Sequence, residues 1–112
     1  MATKAGPDEE DIRRKLGRTI VLLRERRGIT QAELARRSGV DRAFLHGIEH
    51  GKRSPTIPAL VKIARGLNST VSLLTTGIVE PEPGQVWDEA AWDEAVLAEI
   101  EWAESQWDEV EP

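Results

Sequence analysis

Apolar residues near the start of the chain recur at the spacing of an amphipathic helix. Four of them are separated by four, four and three residues, so they fall on one helical face. They are Ile12, Leu16, Ile20 and Leu23. Acidic residues at 8–11 and arginines just before Gly28 suit the two ends of the helix dipole. The pattern predicts a first helix that begins near 8–11 and ends at Gly28, a residue typical of C-caps.

Capping signals divide the next 50 residues into further short helices. The letters TQAE at 30–33 form a capping box, in which the Thr hydroxyl and the Glu carboxylate each accept from the other's backbone N–H. Gly39 marks a tight turn after this second helix, because glycine adopts positive φ without a Cβ penalty. Three more helices are expected to follow N-cap residues, which are Asp41, Thr56 and Thr70. The last of them, over 71–76, is rich in β-branched residues, and a strand remains an alternative there.

Beyond residue 78 the pattern changes. Two prolines and a glycine indicate a linker, and the residues after it run to Val110 without a helix breaker. Their apolar edge consists of Trp92, Val96, Ile100, Ala103, Trp107 and Val110, at helical spacing. The predicted organisation is a flexible lead with the start of the first helix at 1–11, a helical domain at 12–78, a linker at 79–86 and an acidic, tryptophan-rich helical tail at 87–112.

Charge separates the same two regions. The net charge of −5 averages 15 basic against 8 acidic residues up to residue 77, a surplus of +7, with 12 acidic and no basic residues after it. Such asymmetry favours a nucleic-acid-binding domain joined to a segment that nucleic acid repels, although two ordinary solvated surfaces would look similar. The chain has no cysteine, no signal peptide and no apolar run of about 20 residues, which fits a cytoplasmic protein.

One stretch carries a recognisable motif. Residues 30–51 read TQAELARRSGVDRAFLHGIEHG, and KRSP follows them. The Thr-Gln start, the Leu-Ala pair, the Gly-Val turn, the Ile-Glu-His-Gly end and the later proline stand in register, and they resemble the Cro/lambda-repressor (XRE) family of helix-turn-helix regulators. The resemblance covers about residues 12–78. It implies an all-α, five-helix lambda-repressor-like domain, often dimeric, that represses or activates transcription, here followed by a C-terminal amphipathic acidic helix.

The motif implies a pose on double-stranded DNA. Two helices joined by a tight glycine turn cross steeply, so the second protrudes and fits the major groove. Its first residues then meet base edges, while the preceding helix meets the backbone. The expected base readers are Arg42, Ala43 and His46, the first because an arginine fork suits guanine O6 and N7. The expected phosphate contacts are Gln31, Lys52 and Arg53.

Three other residues of the motif have ambiguous roles. Gly47 stands where relatives usually carry a polar or basic side chain, which implies either a close backbone approach or weaker direct readout. Glu49 is expected to bond neighbouring backbone or arginine rather than to read cytosine. Phe44 is expected to pack at the edge of its helix rather than to act as an intercalating wedge.

The tryptophans of the tail need a surface on which to be buried. They are Trp87, Trp92, Trp102 and Trp107, and each ring can bury roughly 200 Å². The candidate docking residues of the domain are Val21, Leu22 and Leu73. The tail either packs on its own domain, pairs with its copy across a dimer or stays exposed for another protein. Its acids either compete with DNA for the basic domain or only keep the helix soluble, and the second reading is preferred.

The sequence thus favours a homodimeric transcriptional regulator on a pseudo-palindromic operator. An antitoxin that grips a toxin with its tail is an alternative, as is an adaptor that has lost DNA binding. No catalytic triad, glycine-rich phosphate loop or metal-ligand spacing is present in the sequence, so neither an enzyme nor a cofactor nor a metal site is expected.

Overall fold

A computed structural model describes residues 9–78 and 88–108, which form six α-helices and no strand. The helices are α1 (Glu9–Arg27), α2 (Gln31–Ser38), α3 (Arg42–Glu49), α4 (Ile57–Gly66), α5 (Val71–Leu74) and α6 (Glu89–Asp108). The all-α prediction is confirmed, and the segment after Thr70 is a helix. The predicted lead before Glu9, the linker at 79–86, Trp87 and Val110 lie outside the described residues. No helix within the described ranges is both long and apolar enough to cross a bilayer.

The helix starts are set by side chains that accept from the amide three residues later. These bonds are Thr30 Oγ1 from Glu33 N (3.1 Å), Asp41 Oδ2 from Phe44 N (3.1 Å), Thr56 Oγ1 from Ala59 N (3.2 Å) and Thr70 Oγ1 from Leu73 N (3.1 Å). All four N-caps agree with the sequence prediction. Gly39 closes α2 with φ +74°, and its amide donates to Ala35 O, as a left-handed C-cap requires.

The reciprocal half of the predicted capping box is wrong. The carboxylate of Glu33 accepts hydrogen bonds from Arg36 and Arg37 along the same helix instead of reaching back to the Thr30 amide. These two guanidinium groups lower the pKa of Glu33 to about 2. A cation one turn away is a stronger partner for a carboxylate than a neutral amide, and the sequence places two cations there.

The core is aliphatic, and two helices approach each other closely within it. Leu23, Leu34, Leu45 and Ile63 come from four different helices and are fully buried. At Gly17, α1 crosses the end of α3 with backbone against backbone. A Cβ there would lie 2.7 Å from Glu49 O and would overlap Ile48 O. The position of α3 on the domain therefore depends on a residue without a side chain.

Helix α6 packs on its own domain, one of the three arrangements that the sequence left open. Val96 and Ile100 are buried in the same cluster as the core of the first five helices. The indole Nε1 of Trp92 donates to Gly77 O at 3.0 Å, and a Cβ at Gly77 would overlap the Trp92 ring. The last turn of the domain is thus shaped to receive the first tryptophan of α6.

The predicted docking residues have different positions. Leu22 and Leu73 are buried in the cluster that contains Val96 and Ile100. Val21 is half-buried and lines a cleft beside α3. It faces a different side from Leu22, because successive residues of a helix point about 100° apart.

Two tryptophans of α6 remain exposed. Trp102 is 65% exposed. Trp107, on the predicted apolar edge, is 40% exposed, so its docking stays a prediction. It lies almost one turn beyond Glu104, which contacts the last residue of α1. The helix that covers the buried edge of α6 has ended before Trp107 is reached.

Ion pairs fix α6 along α1. Arg18 Nε and Nη2 donate to the Asp93 carboxylate at 3.2 and 2.7 Å. Further along, Arg26 donates to Glu104 at 2.9 Å, and Arg27 donates to the same carboxylate. These carboxylates of the tail pair with α1 rather than with α3. Where the structure describes it, the tail pairs with three arginines of α1, and these ion pairs leave α3 uncovered.

We expect the docking of α6 to weaken in acid. Partial burial alone would raise the pKa of Glu104, but hydrogen bonds from Arg27 and Arg26 outweigh it and hold the pKa below its ordinary value. A lowered folded pKa gives stability above the ordinary pKa, about 4.3, which is lost as the pH falls through the folded value. All four tryptophans lie in the tail, so tryptophan emission reports its release.

The control for this titration is Glu99→Gln, which changes an exposed acid of the same helix. Glu104→Gln is expected to weaken docking already at neutral pH and to flatten the acid transition, whereas Glu99→Gln should titrate like the parent protein. Equal emission titrations for the parent and Glu104→Gln would contradict the role given to this pair.

Candidate nucleic-acid interface

Helix α3 presents one polar face to solvent. Arg42, Ala43 and His46 are exposed on it, while Leu45 and Ile48 face the core. The N-cap at Asp41 and the backbone crossing with α1 set the position of the helix. The three residues expected to read bases are therefore brought together on the outside of the domain.

A cleft of about 590 Å³ runs along the flank of α3 where it faces α1. Its lining is mostly polar and cationic, and consists of Arg14, Arg18, Val21, Arg24, Gln31, Arg42, His46, Glu49 and His50. The α1 arginines of this lining pair with carboxylates, Arg14 with Asp11, Arg18 with Asp93 and Arg24 with Glu49. Hydrogen bonds to Asp93 raise the pKa of Arg18 further above its ordinary value. The cleft thus joins paired arginines of α1 to the exposed Arg42 of α3.

The wall of this cleft includes a charged network centred on Glu49. Its carboxylate accepts from Arg24 Nε and Nη2 at 2.9 and 3.1 Å and from Gln31 Nε2 at 3.0 Å. Arg24 Nη1 also donates to Ile29 O at 3.1 Å. Glu49 is structural, as its sequence context indicated. Gln31 is oriented by this bond, and its side-chain amide has a second N–H to offer.

The loop after α3 is tied back onto that helix. The amides of Lys52 and Arg53 both donate to Gly47 O, at 2.8 and 3.2 Å, and Arg13 Nε donates to Gly51 O at 3.2 Å. Lys52 and Arg53 are exposed. The loop therefore holds two cations beside the end of α3. Both were predicted from the sequence to contact phosphate.

Three residues near this surface were not predicted from the sequence. His50 stacks on His46 with ring centroids 4.0 Å apart, and its Nδ1 lies 2.9 Å from His46 O. The two histidines are four residues apart, and this helical spacing could have indicated their contact. Arg14 and Arg18 line the cleft, but their part in it follows only from the crossing of α1 and α3.

Similarity to known proteins agrees with this geometry. The family model described as Helix-turn-helix (HTH_3) matches residues 20–74. The uncharacterized HTH-type transcriptional regulator y4dJ of Sinorhizobium fredii is 38% identical over 66 residues, which are 58% of this chain and 86% of that protein. The chain belongs to the XRE-type helix-turn-helix family of transcriptional regulators. It spans 33% to 58% of the length of other HTH-type relatives that it matches.

Solved structures of regulators of this type share the fold. The restriction-modification controller protein C.AhdI of Aeromonas hydrophila is 32% identical with a TM-score of 0.54, over 55% of this chain and 94% of that one. The controller protein C.Esp1396I, solved as a tetramer in complex with its natural 35 base-pair operator, is 27% identical with a TM-score of 0.52, over 80% and 93%. The predicted lambda-repressor-like architecture and family are confirmed.

Proposed function

We propose that this regulator binds double-stranded DNA sequence-specifically, with α3 in the major groove. The observation that carries the proposal is the exposed face of α3, on which Arg42, Ala43 and His46 lie together beside a cleft rich in arginines. Arg42 is the principal base reader, because its planar fork matches the two acceptors of guanine. Ala43 offers a methyl group to thymine, and His46 contacts a base edge one turn later.

Polar and positive residues around α3 hold the phosphate backbone. Gln31 stands at the first position of α2, where its backbone N–H and its remaining side-chain N–H suit a phosphate. Lys52 is exposed in the loop after α3, and its amide ties that loop to Gly47. These contacts set the register on DNA and give no sequence preference of their own.

We propose a homodimer on a pseudo-palindromic operator, with half-sites about one helical turn, roughly 34 Å, apart. The operator complex of C.Esp1396I, named as a tetramer, supports an oligomeric mode of binding in this fold. Trp102 on the outer side of α6 is an exposed aromatic side chain of the kind that interfaces enrich, so α6 also supplies a surface for a second subunit or another protein. Such a regulator acts on DNA without catalysis, in the cytoplasm.

The test selects bound sequences from random duplex DNA and then measures two variants on the selected site. Arg42→Ala is expected to lose discrimination at one base position by about 1–3 kcal/mol. Lys52→Ala is expected to weaken all duplexes alike and to lower the slope of log K against log salt by about one phosphate contact. Both changes remove one cation, so the difference between them isolates base reading.

Lys62→Ala is the control, since Lys62 is an exposed cation of α4 outside the cleft. Its operator affinity should remain near that of the parent protein. A parent protein that binds no duplex, or binds with no dependence on salt, would favour an adaptor that has lost DNA binding.

A further inference from the structure

Gly47 is buried although it lies on the outer side of α3, one turn after Ala43 and next to His46. The cover is the side chain of Arg53. A Cβ placed on Gly47 would lie 2.9 Å from Arg53 Cγ, 3.0 Å from Cδ and 3.4 Å from Nε. The stem of Arg53 therefore crosses the helix backbone through the space that a side chain at position 47 would occupy. This explains a glycine that otherwise costs about 1 kcal/mol of helix propensity.

Arg53 is held in this position at both ends. Its amide donates to Gly47 O at 3.2 Å, which fixes the start of the side chain against the helix. Its guanidinium carbon lies 5.9 Å from the centroid of the Phe44 ring, within the range of a cation–π contact. Phe44 in turn is half-buried against the core, at the edge of α3 as expected. Arg53 is thus an exposed cation, and its contacts with α3 set the direction of its side chain.

We propose that Arg53 is a specificity-determining residue that supplies from the loop the base-reading side chain that α3 lacks at Gly47. The proposal rests on the proposed function, because α3 must enter the major groove for Arg53 to reach a base. The expected target is a guanine, whose O6 and N7 accept the two N–H groups of an arginine fork. This assignment replaces the phosphate contact that the sequence favoured for Arg53.

Chemistry separates the two roles. A phosphate contact needs a positive charge, and lysine supplies one as a point charge. A bidentate contact with guanine needs the planar fork, and it needs the fork at a fixed place. Arg53→Lys keeps the charge and removes the fork. Gly47→Ala keeps both, but its Cβ displaces the Arg53 stem, which is flexible enough to move aside without unfolding α3.

The experiment repeats the selection from random duplex DNA with the full chain and these two variants. Arg53→Lys and Gly47→Ala are both expected to lose preference at the same base pair, by about 5- to 150-fold. That pair should differ from the one lost in Arg42→Ala. Affinity for random duplex and the salt slope should stay within about twofold of the parent values, because no charge is removed.

Two results would overturn the inference. The first is a selection profile for Arg53→Lys that equals the parent profile, which would make Arg53 a phosphate contact. The second is loss of random-duplex affinity by Arg53→Lys in step with operator affinity. Arg53 is exposed, so its substitution tests the idea even if Gly47→Ala perturbs α3. Failure of the parent protein to bind any duplex would overturn the proposed function together with this inference, and is distinguished by the absence of any selected sequence.

Discussion

Gly17→Ala is expected to lower the stability of the protein by about 2–3 kcal/mol and its Tm by roughly 10 °C or more. The new Cβ would lie 2.7 Å from Glu49 O and 2.9 Å from Glu49 C, and closer still to Ile48 O. These are backbone atoms at the end of α3, so no rotamer change relieves the overlap. The two helices must separate, and the loss exceeds the gain of about 1 kcal/mol in helix propensity.

Thermal unfolding followed by far-UV circular dichroism measures this effect, and Gly47→Ala is the matched control. Both variants add one methyl group to a helical glycine, but at Gly47 it meets only the flexible stem of Arg53. The control should unfold at or above the parent Tm. A Gly17→Ala protein as stable as this control would show that α1 and α3 do not cross with their backbones in contact. DNA affinity should fall with Gly17→Ala as well, because the same contact positions α3.

Features determined by nearby residues were predictable from the sequence. The N-caps at Thr30 and Asp41 act on amides three residues later, so their effect is encoded within one turn. The exposed face of α3 follows in the same way from the apolar positions Leu45 and Ile48 and from the helical period. For this reason the helices, the turn at Gly39 and the face that carries Arg42 agree between sequence and structure.

Features that depend on how the helices pack were not predictable. The stripe of α6 indicates which side is buried, but not which surface buries it, and Arg18 is separated from Asp93 by 75 residues. The role of Gly17 appears only once α1 and α3 are seen to cross. The sequence left two readings of Gly47 open, a close backbone approach or weaker direct readout. The side chain that fills its place comes from the following loop and is not visible in the helix pattern.

The second large effect is expected for Arg24→Met, which should cost about 3–5 kcal/mol. The Glu49 side chain is 2% exposed, and Arg24, itself 17% exposed, holds it with two hydrogen bonds. Without the guanidinium the carboxylate stays buried with only the amide of Gln31, a neutral partner. Removal of one member of a buried pair leaves an uncompensated charge, which is far more costly than loss of a surface pair. Denaturant unfolding measures the difference.

The comparison with Arg36→Met distinguishes charge burial from the loss of any arginine. Arg36 pairs with Glu33 on the surface, with 72% of its side chain exposed, so its substitution should leave the free energy of unfolding close to that of the parent protein. Arg24→Met combined with Glu49→Met removes both charges and should recover most of the stability, because an apolar pair of similar size tolerates burial. If the double variant is no more stable than Arg24→Met alone, the cost lies in lost packing and in the freed Ile29 carbonyl, and not in the buried carboxylate. Gln31 loses its anchor in the double variant, so a recovered fold with weaker DNA binding would show that Glu49 also positions the phosphate contact.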